Sequence, residues 1–189
     1  MATCQKENDS RGRVDLTKLM SSGHPVAWLA KLSWEISEAV ACRDSSPVVR
    51  IYKSMNCAVT AWHVSDWIWQ FSNQRQREHL STVLKCRRLG SLKDFCRAVQ
   101  RSCPAIGLCR QIGTAVKHVS VAYNRAEVST KVEMVEDGSH YRVLIVDGDQ
   151  NHIDTDVYYT ALEVWCRIYV HLELDLWEEV QEIWHHWKE

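Results

Sequence analysis

The spacing of hydrophobic and polar positions changes character along the chain, and each change predicts an element. Residues 1–13 are polar and without period, so 1–20 reads as a flexible N-terminal segment and 21–189 as a single mostly helical domain. Val26, Leu29, Leu32, Ile36 and Val40 then trace one face of a helix that opens at Ser21, Ser22 or Gly23 with Pro25 in its first turn, and Asp44-Ser45-Ser46-Pro47 stops it. The next segment, VVRIYKSMNCAVTAWHVSDWIWQF over about 48–71, carries apolar residues on most of its surface, which predicts the central helix of a bundle. Through it runs a polar stripe of Asn56, Thr60 and His63, continued on the adjoining turn by Asp66 and Gln70. Polar groups buried in such a helix must meet a partner, water or a ligand, because leaving them unbonded costs free energy.

A basic helix is expected within 73–89, ended by Gly90. Ser91, with Asp94 three residues on, caps a short helix running to about residue 101, and the Ser102-Cys103-Pro104 break starts another over about 104–120 with Ile106, Cys109, Ile112, Val116 and Val119 inward. The period then switches to strand-like. Val128, Lys131, Val132, Met134 and Val135, a turn at Asp137-Gly138, and the return run HYRVLIVD predict a hairpin over roughly 127–147. A second turn at DGDQN leads to a short third strand near His152 and Ile153, and from about Asp156 to Trp187 the pattern is helical again. The predicted fold class is mainly α: a helical bundle with a short antiparallel β-hairpin before the C-terminal helix.

Composition narrows this picture. A chain of 189 residues can bury a full core without metal or disulfide staples, and seven Gly with three Pro leave little room for a loop-rich β fold. The eight Cys show no Cys-x2-Cys pair or closely spaced His partner, so they read as buried free thiols, with no metal and no cofactor expected. MATCQKENDSRGR lacks the apolar core of a signal peptide and no stretch is apolar enough to span a bilayer, so a cytoplasmic location and no membrane partner are expected. Charge is strongly uneven. Residues 75–125 hold eleven basic and two acidic residues, a net +9, whereas 126–189 hold four basic and fifteen acidic, a net -11. The basic middle either faces a polyanion such as RNA or packs beside the acidic third, within the chain or across a dimer.

Two groups of residues carry candidate chemistry. His63 and Asp66 are three apart on the central helix and so share a face; an imidazole can move a proton or ligate a metal, and a carboxylate can orient its second nitrogen. In RQIGTAVKH, Arg110, Thr114, Lys117 and His118 fall along adjoining faces, where Arg and Lys can take a phosphate and His118 can act as acid or base. If the two helices are neighbours, His63, Asp66, Arg110 and His118 form a catalytic set, with Asn56 and Lys117 binding substrate. Such a set can cleave RNA without metal, one His activating the 2′-hydroxyl and the other protonating the leaving oxygen. The same His, His and Asp groups suit zinc or iron with an open position, although the neighbouring cations would repel it. Asp147-Gly148-Asp149-Gln150-Asn151 begins like a calcium loop but lacks the closing Glu. No P-loop, dinucleotide fingerprint, HExxH or serine nucleophile elbow is present.

On the helix near 104–120 the chain resembles the HEPN class of helical-bundle proteins, whose signature is an Arg, a polar residue and a following His. Arg110 and Gln111 stand at its start and His118 at its end, with seven residues between Arg110 and His118 where four to six are usual. The resemblance implies a catalytic Arg110–His118 pair in a ribonuclease of the toxin–antitoxin or antiviral-defence kind. The function expected is therefore a metal-independent RNA endonuclease or nuclease-like toxin or defence component. The alternative is a non-catalytic adaptor or inhibitor that binds a protein partner, or self-associates, through an acidic C-terminal helix bearing Trp165, Trp177, Trp184 and Trp187.

Overall fold

A computed structural model describes residues 26–42, 46–117 and 128–172. The elements run α1 (Val26–Ala41), α2 (Pro47–Phe71), α3 (Gln74–Val83), α4 (Leu92–Ser102), α5 (Pro104–Lys117), β1 (Val128–Met134), β2 (Tyr141–Asp147), β3 (Gln150–Ile153) and α6 (Asp154–His171). This is the mainly helical bundle with a β-hairpin ahead of α6 that the periodicity predicts. The predicted tail 1–20, the start of the first helix, and the helical pattern from 173 to 187 lie outside the described residues.

α2 is the axis of the bundle, packed against α1, α4, α5, α6 and the sheet. Its small buried residues explain how so many neighbours approach it: Ser54, Cys57, Ala58, Thr60, Ala61, Val64 and Ser65 line its inner faces. α1 covers one side with Val26, Leu29, Leu32 and Ile36, all buried as their spacing predicts. α6 packs against both α1 and α2 and brings in Tyr158, Trp165 and Tyr169, three of the largest fully buried side chains. The indole N–H of Trp165 donates to the carbonyl of Ala61 at 2.8 Å, which satisfies the polar handle that makes a tryptophan costly in a core. Trp165 is thus a core residue, correcting its expected place on an exposed partner-binding face.

Helix ends follow local chemistry. Asn73 and Gln76 form a reciprocal capping box that starts α3, and the Ser91 hydroxyl accepts the Asp94 N–H at 3.2 Å to start α4. α3 is shorter than the expected basic segment. It ends at Val83, and Lys85 turns the chain with a positive φ of 49° into the connection that reaches α4. Pro104 opens α5, where its missing N–H costs nothing.

The sheet is antiparallel in the order β1-β2-β3, with Val128 opposite Asp147, Met134 opposite Tyr141, and Leu144 opposite Ile153. Gly138 (φ 68°) and Gly148 (φ 56°) sit in the two reversals, where a side chain would be strained. The Gly148 turn is the segment that begins like a calcium loop, and its role here is to join β2 to β3. Val128 and Ile145 carry the sheet into the main core. Among the described residues, no helix is long and apolar enough to cross a membrane.

Candidate functional site

α5 runs antiparallel to α2, because the Arg110 guanidinium lies 5.8 Å from the Trp62 ring centroid while a Cβ on Gly113 would stand 3.7 Å from the Cα of Val59. At Gly113 a Cβ would make only ordinary van der Waals contact with Val59, so the two helices pack at normal spacing there, with Arg110 laid beside α2. Arg110 also donates to the Gln100 side-chain carbonyl at 3.1 Å, while Gln100 donates to the Cys96 carbonyl at 2.8 Å, so α4 completes the arrangement. Beneath it, the Cys96 thiol lies 3.6 Å from the Ser65 hydroxyl. Burial pushes that thiol up; the Ser65 contact works against the rise, as does the positive charge of Arg110, while the negative charge of Asp66 adds to it. Asp66 from α2 and Arg110 from α5 therefore both lie within electrostatic reach of one point on α4.

His63 and Asp66 are half-buried on α2, on the turn that carries Trp62. Arg110 thus lies beside the stretch of α2 that carries Trp62, His63 and Asp66. His118 lies outside the described residues, so its half of the catalytic pair does too. Lys117 closes α5, seven residues and about 10 Å along the helix axis from Arg110. Because the helices are antiparallel, Lys117 falls toward the level of Asn56, itself two turns before His63. The two expected substrate-binding residues thus stand about two turns along the pair from Arg110. Thr114, between them, donates its hydroxyl to the Arg110 carbonyl at 2.8 Å.

The polar stripe on α2 is not uniformly buried, which corrects its expected burial. Asn56 and Gln70 are exposed, so solvent can satisfy them, whereas Thr60 is buried and accepts the Lys31 ammonium at 2.5 Å. Lys31 also pairs with Glu35 on the same helix. The stripe therefore combines a buried Thr60 contact to α1 with half-buried His63 and Asp66 and exposed Asn56 and Gln70.

A second polar cluster escapes periodicity altogether. Arg50 is buried on α2 and donates to the Ala39 carbonyl; Ser54, one turn on, shares a 2.7 Å hydrogen bond with the Tyr158 hydroxyl of α6. Asp154, at the start of α6 and only 1% exposed, accepts the Thr155 N–H at 2.8 Å through one oxygen; among the described residues its other oxygen and the Arg50 Nε are buried with no hydrogen-bond partner. Burial raises the Asp154 carboxyl above its usual range, opposed by Ser54 and by the charge of Arg50. The one sequence signal is the four-residue step from Arg50 to Ser54 in an otherwise apolar helix, and it does not identify the α6 partners.

The cysteines agree with their reading as thiols. Cys42, Cys57, Cys86, Cys96, Cys103, Cys109 and Cys166 are free, and all but Cys42 and Cys86 are buried. No group of three or more His, Cys, Asp or Glu among the described residues is placed to hold a metal ion.

The expectation that the acidic C-terminal third neutralises the basic middle rests in good part on acidic residues of 173–189, which lie outside the described residues. α6 does pack on α5 and α3, but through apolar residues, the Gln76 amide on the Leu172 carbonyl at 2.8 Å, and the His79 and His171 rings 5.8 Å apart. The ion pairs among the described residues are Lys31–Glu35, Lys53–Glu38, Lys131–Glu133, Arg142–Glu133 and Arg167–Glu163, and none joins α3, α4 or α5 to α6. No family model, no curated protein and no solved structure matches this chain.

Proposed function

We propose that this chain acts on RNA as a metal-independent endonuclease or nuclease-like toxin or defence component, working at the α2–α5 pair. The observation that supports the reading is the Arg110 guanidinium beside Trp62, on the stretch of α2 that carries His63 and Asp66, in helices whose cations form no ion pair with α6 among the described residues. In this reading His63, oriented by Asp66, removes the proton from a ribose 2′-hydroxyl. The 2′-oxygen attacks the adjacent phosphorus, the bond to the 5′-oxygen breaks, and His118 delivers a proton to that oxygen, leaving a 2′,3′-cyclic phosphate and a 5′-hydroxyl. Arg110 meets the negative charge that grows on the phosphoryl oxygens, while Lys117 and Asn56 hold the strand further along. The resemblance of Arg110, Gln111 and His118 to the HEPN signature supports the same assignment.

The test is incubation of pure protein with labelled single-stranded RNA, with and without EDTA. Cleavage that persists in EDTA and ends in cyclic phosphate is expected, and His63→Ala should slow it by about 100-fold or more, the usual contribution of an acid–base group. Absence of cleavage in both conditions, together with absence of binding at low salt, overturns the proposal.

A second reading, a non-catalytic adaptor or inhibitor, draws support from a different observation. Trp34 on α1 and Tyr52 on α2 are 60% and 62% exposed, and Val48 lies one turn from Tyr52. Trp177, Trp184 and Trp187, expected to form the contact, lie outside the described residues. Binding of a protein partner that Trp34→Ala and Tyr52→Ala abolish, with RNA cleavage absent, would select this reading.

A further inference from the structure

The solvent face of α4 lies outside the expected catalytic set, and its residues form a regular series. Lys93, Arg97 and Arg101 are all exposed and occupy positions i, i+4 and i+8, so they project from one face with steps of about 6 Å along the helix axis. None of the three forms an ion pair with a described residue. The one carboxylate on this helix, Asp94, is engaged at its start by the Ser91 hydroxyl at 2.8 Å. Three cations in a row, with no ion-pair partner among the described residues, cost self-repulsion and contribute nothing to packing, since the buried side of α4 is Phe95, Cys96, Ala98 and Val99.

The series leads to the candidate site. Gln100, one residue before Arg101, accepts the guanidinium of Arg110, which lies against Trp62 on the turn holding His63 and Asp66. The cations of α4 thus lead toward Arg110, which α4 holds through Gln100. Evenly spaced cations on a convex helix suit a flexible backbone that can follow them, and Arg110 at the end supplies the charge that meets the phosphoryl group.

We infer that α4 is a binding track for single-stranded RNA: Lys93, Arg97 and Arg101 hold successive phosphates and deliver the strand to Arg110 and His63. This rests on the RNA reading above and adds the substrate class and its path. The track residues are positioning residues, remote from the reacting atoms, so their loss weakens binding of RNA without removing the acid–base groups.

Fluorescence anisotropy with a labelled oligouridylate, titrated at several salt concentrations, tests it. The double variant Arg97→Glu/Arg101→Glu should retain the circular dichroism and unfolding midpoint of the parent, because both side chains are exposed. It should bind at least about 10-fold more weakly, and the slope of log affinity against log salt should become shallower by about 1.4, the loss of two single-strand phosphate contacts. Lys131→Glu, the same kind of charge reversal on β1, should leave affinity within about 2-fold. Parent-like affinity and salt slope in the double variant would overturn the track while leaving the RNA reading standing; tighter binding of duplex RNA than of the single strand would also overturn it. No binding by the parent protein at low salt would remove the RNA reading itself, and the track with it.

Discussion

Asp154 places a carboxylate where solvent cannot reach it. A raised carboxyl pKa means the folded state binds the proton more tightly than the unfolded chain does. Stability contributed by protonated Asp154 is therefore present below the unfolded carboxylate value, about 3.9, and is lost as pH rises through the raised folded value. Asp154→Asn keeps an oxygen for the Thr155 N–H and removes the titration. Urea unfolding across mildly acidic pH should show the parent losing stability with rising pH relative to this variant. Parallel pH profiles would mean that Arg50 compensates the buried charge fully. The thiols make a second test at this scale. Burial pushes the Cys166 thiol up to about 12 and raises Cys57 and Cys109 as well, so none of the three offers thiolate near neutral pH. Mass-spectrometric alkylation of the native protein should modify the half-exposed Cys42 and Cys86 first, with Cys57, Cys109 and Cys166 reacting only on unfolding.

Two kinds of element hold the bundle, and they should respond differently to substitution. α3 and α4 are short helices begun by side-chain caps, so Asn73→Ala and Ser91→Ala should each cost about 1 kcal/mol in denaturant unfolding through lost N-terminal hydrogen bonds. α6 depends on its buried aromatic residues. Trp165→Phe removes the N–H that meets the Ala61 carbonyl and leaves the space of half an indole between α2 and α6, for an expected loss of about 2–4 kcal/mol. A loss below about 1 kcal/mol would show that the neighbouring Phe95 ring, 6.4 Å from Trp165, can move in to fill the gap. The difference between these values separates elements whose ends decide their stability from the one whose face does.

For the molecule as a whole, the distribution of charge is the main consequence. The cations of α3–α5 are not paired with α6 in the described structure, so folding should depend little on salt while association with a polyanion should depend on it steeply. Residues 173–189 carry six acidic residues and one basic, a net -5, and their charge opposes an approaching phosphate backbone. Deleting this segment should raise RNA affinity a few-fold at low salt and have no effect at high salt, as read by anisotropy. Affinity that falls on deletion would mean that the segment contributes binding contacts instead of repulsion.

Elements, caps and turns were legible in the residues because they depend on near neighbours. The apolar spacing of Val26 to Ile36, the Ser91 cap, Pro104 at a helix start and the glycines of both strand reversals all act within a few positions of themselves. Part of the candidate site was legible for the same reason, since His63 and Asp66 share a face whatever surrounds their helix. That Arg110 lies against Trp62, that Gln100 completes the contact, and that Trp165 turns inward were decided only when α2, α4, α5 and α6 packed. Arg50, Ser54, Asp154 and Tyr158 are the clearest case, because Ser54 and Tyr158 are separated by 104 residues and share one hydrogen bond. No local pattern encodes such a pairing; it exists because burying two polar groups is affordable only where each satisfies the other.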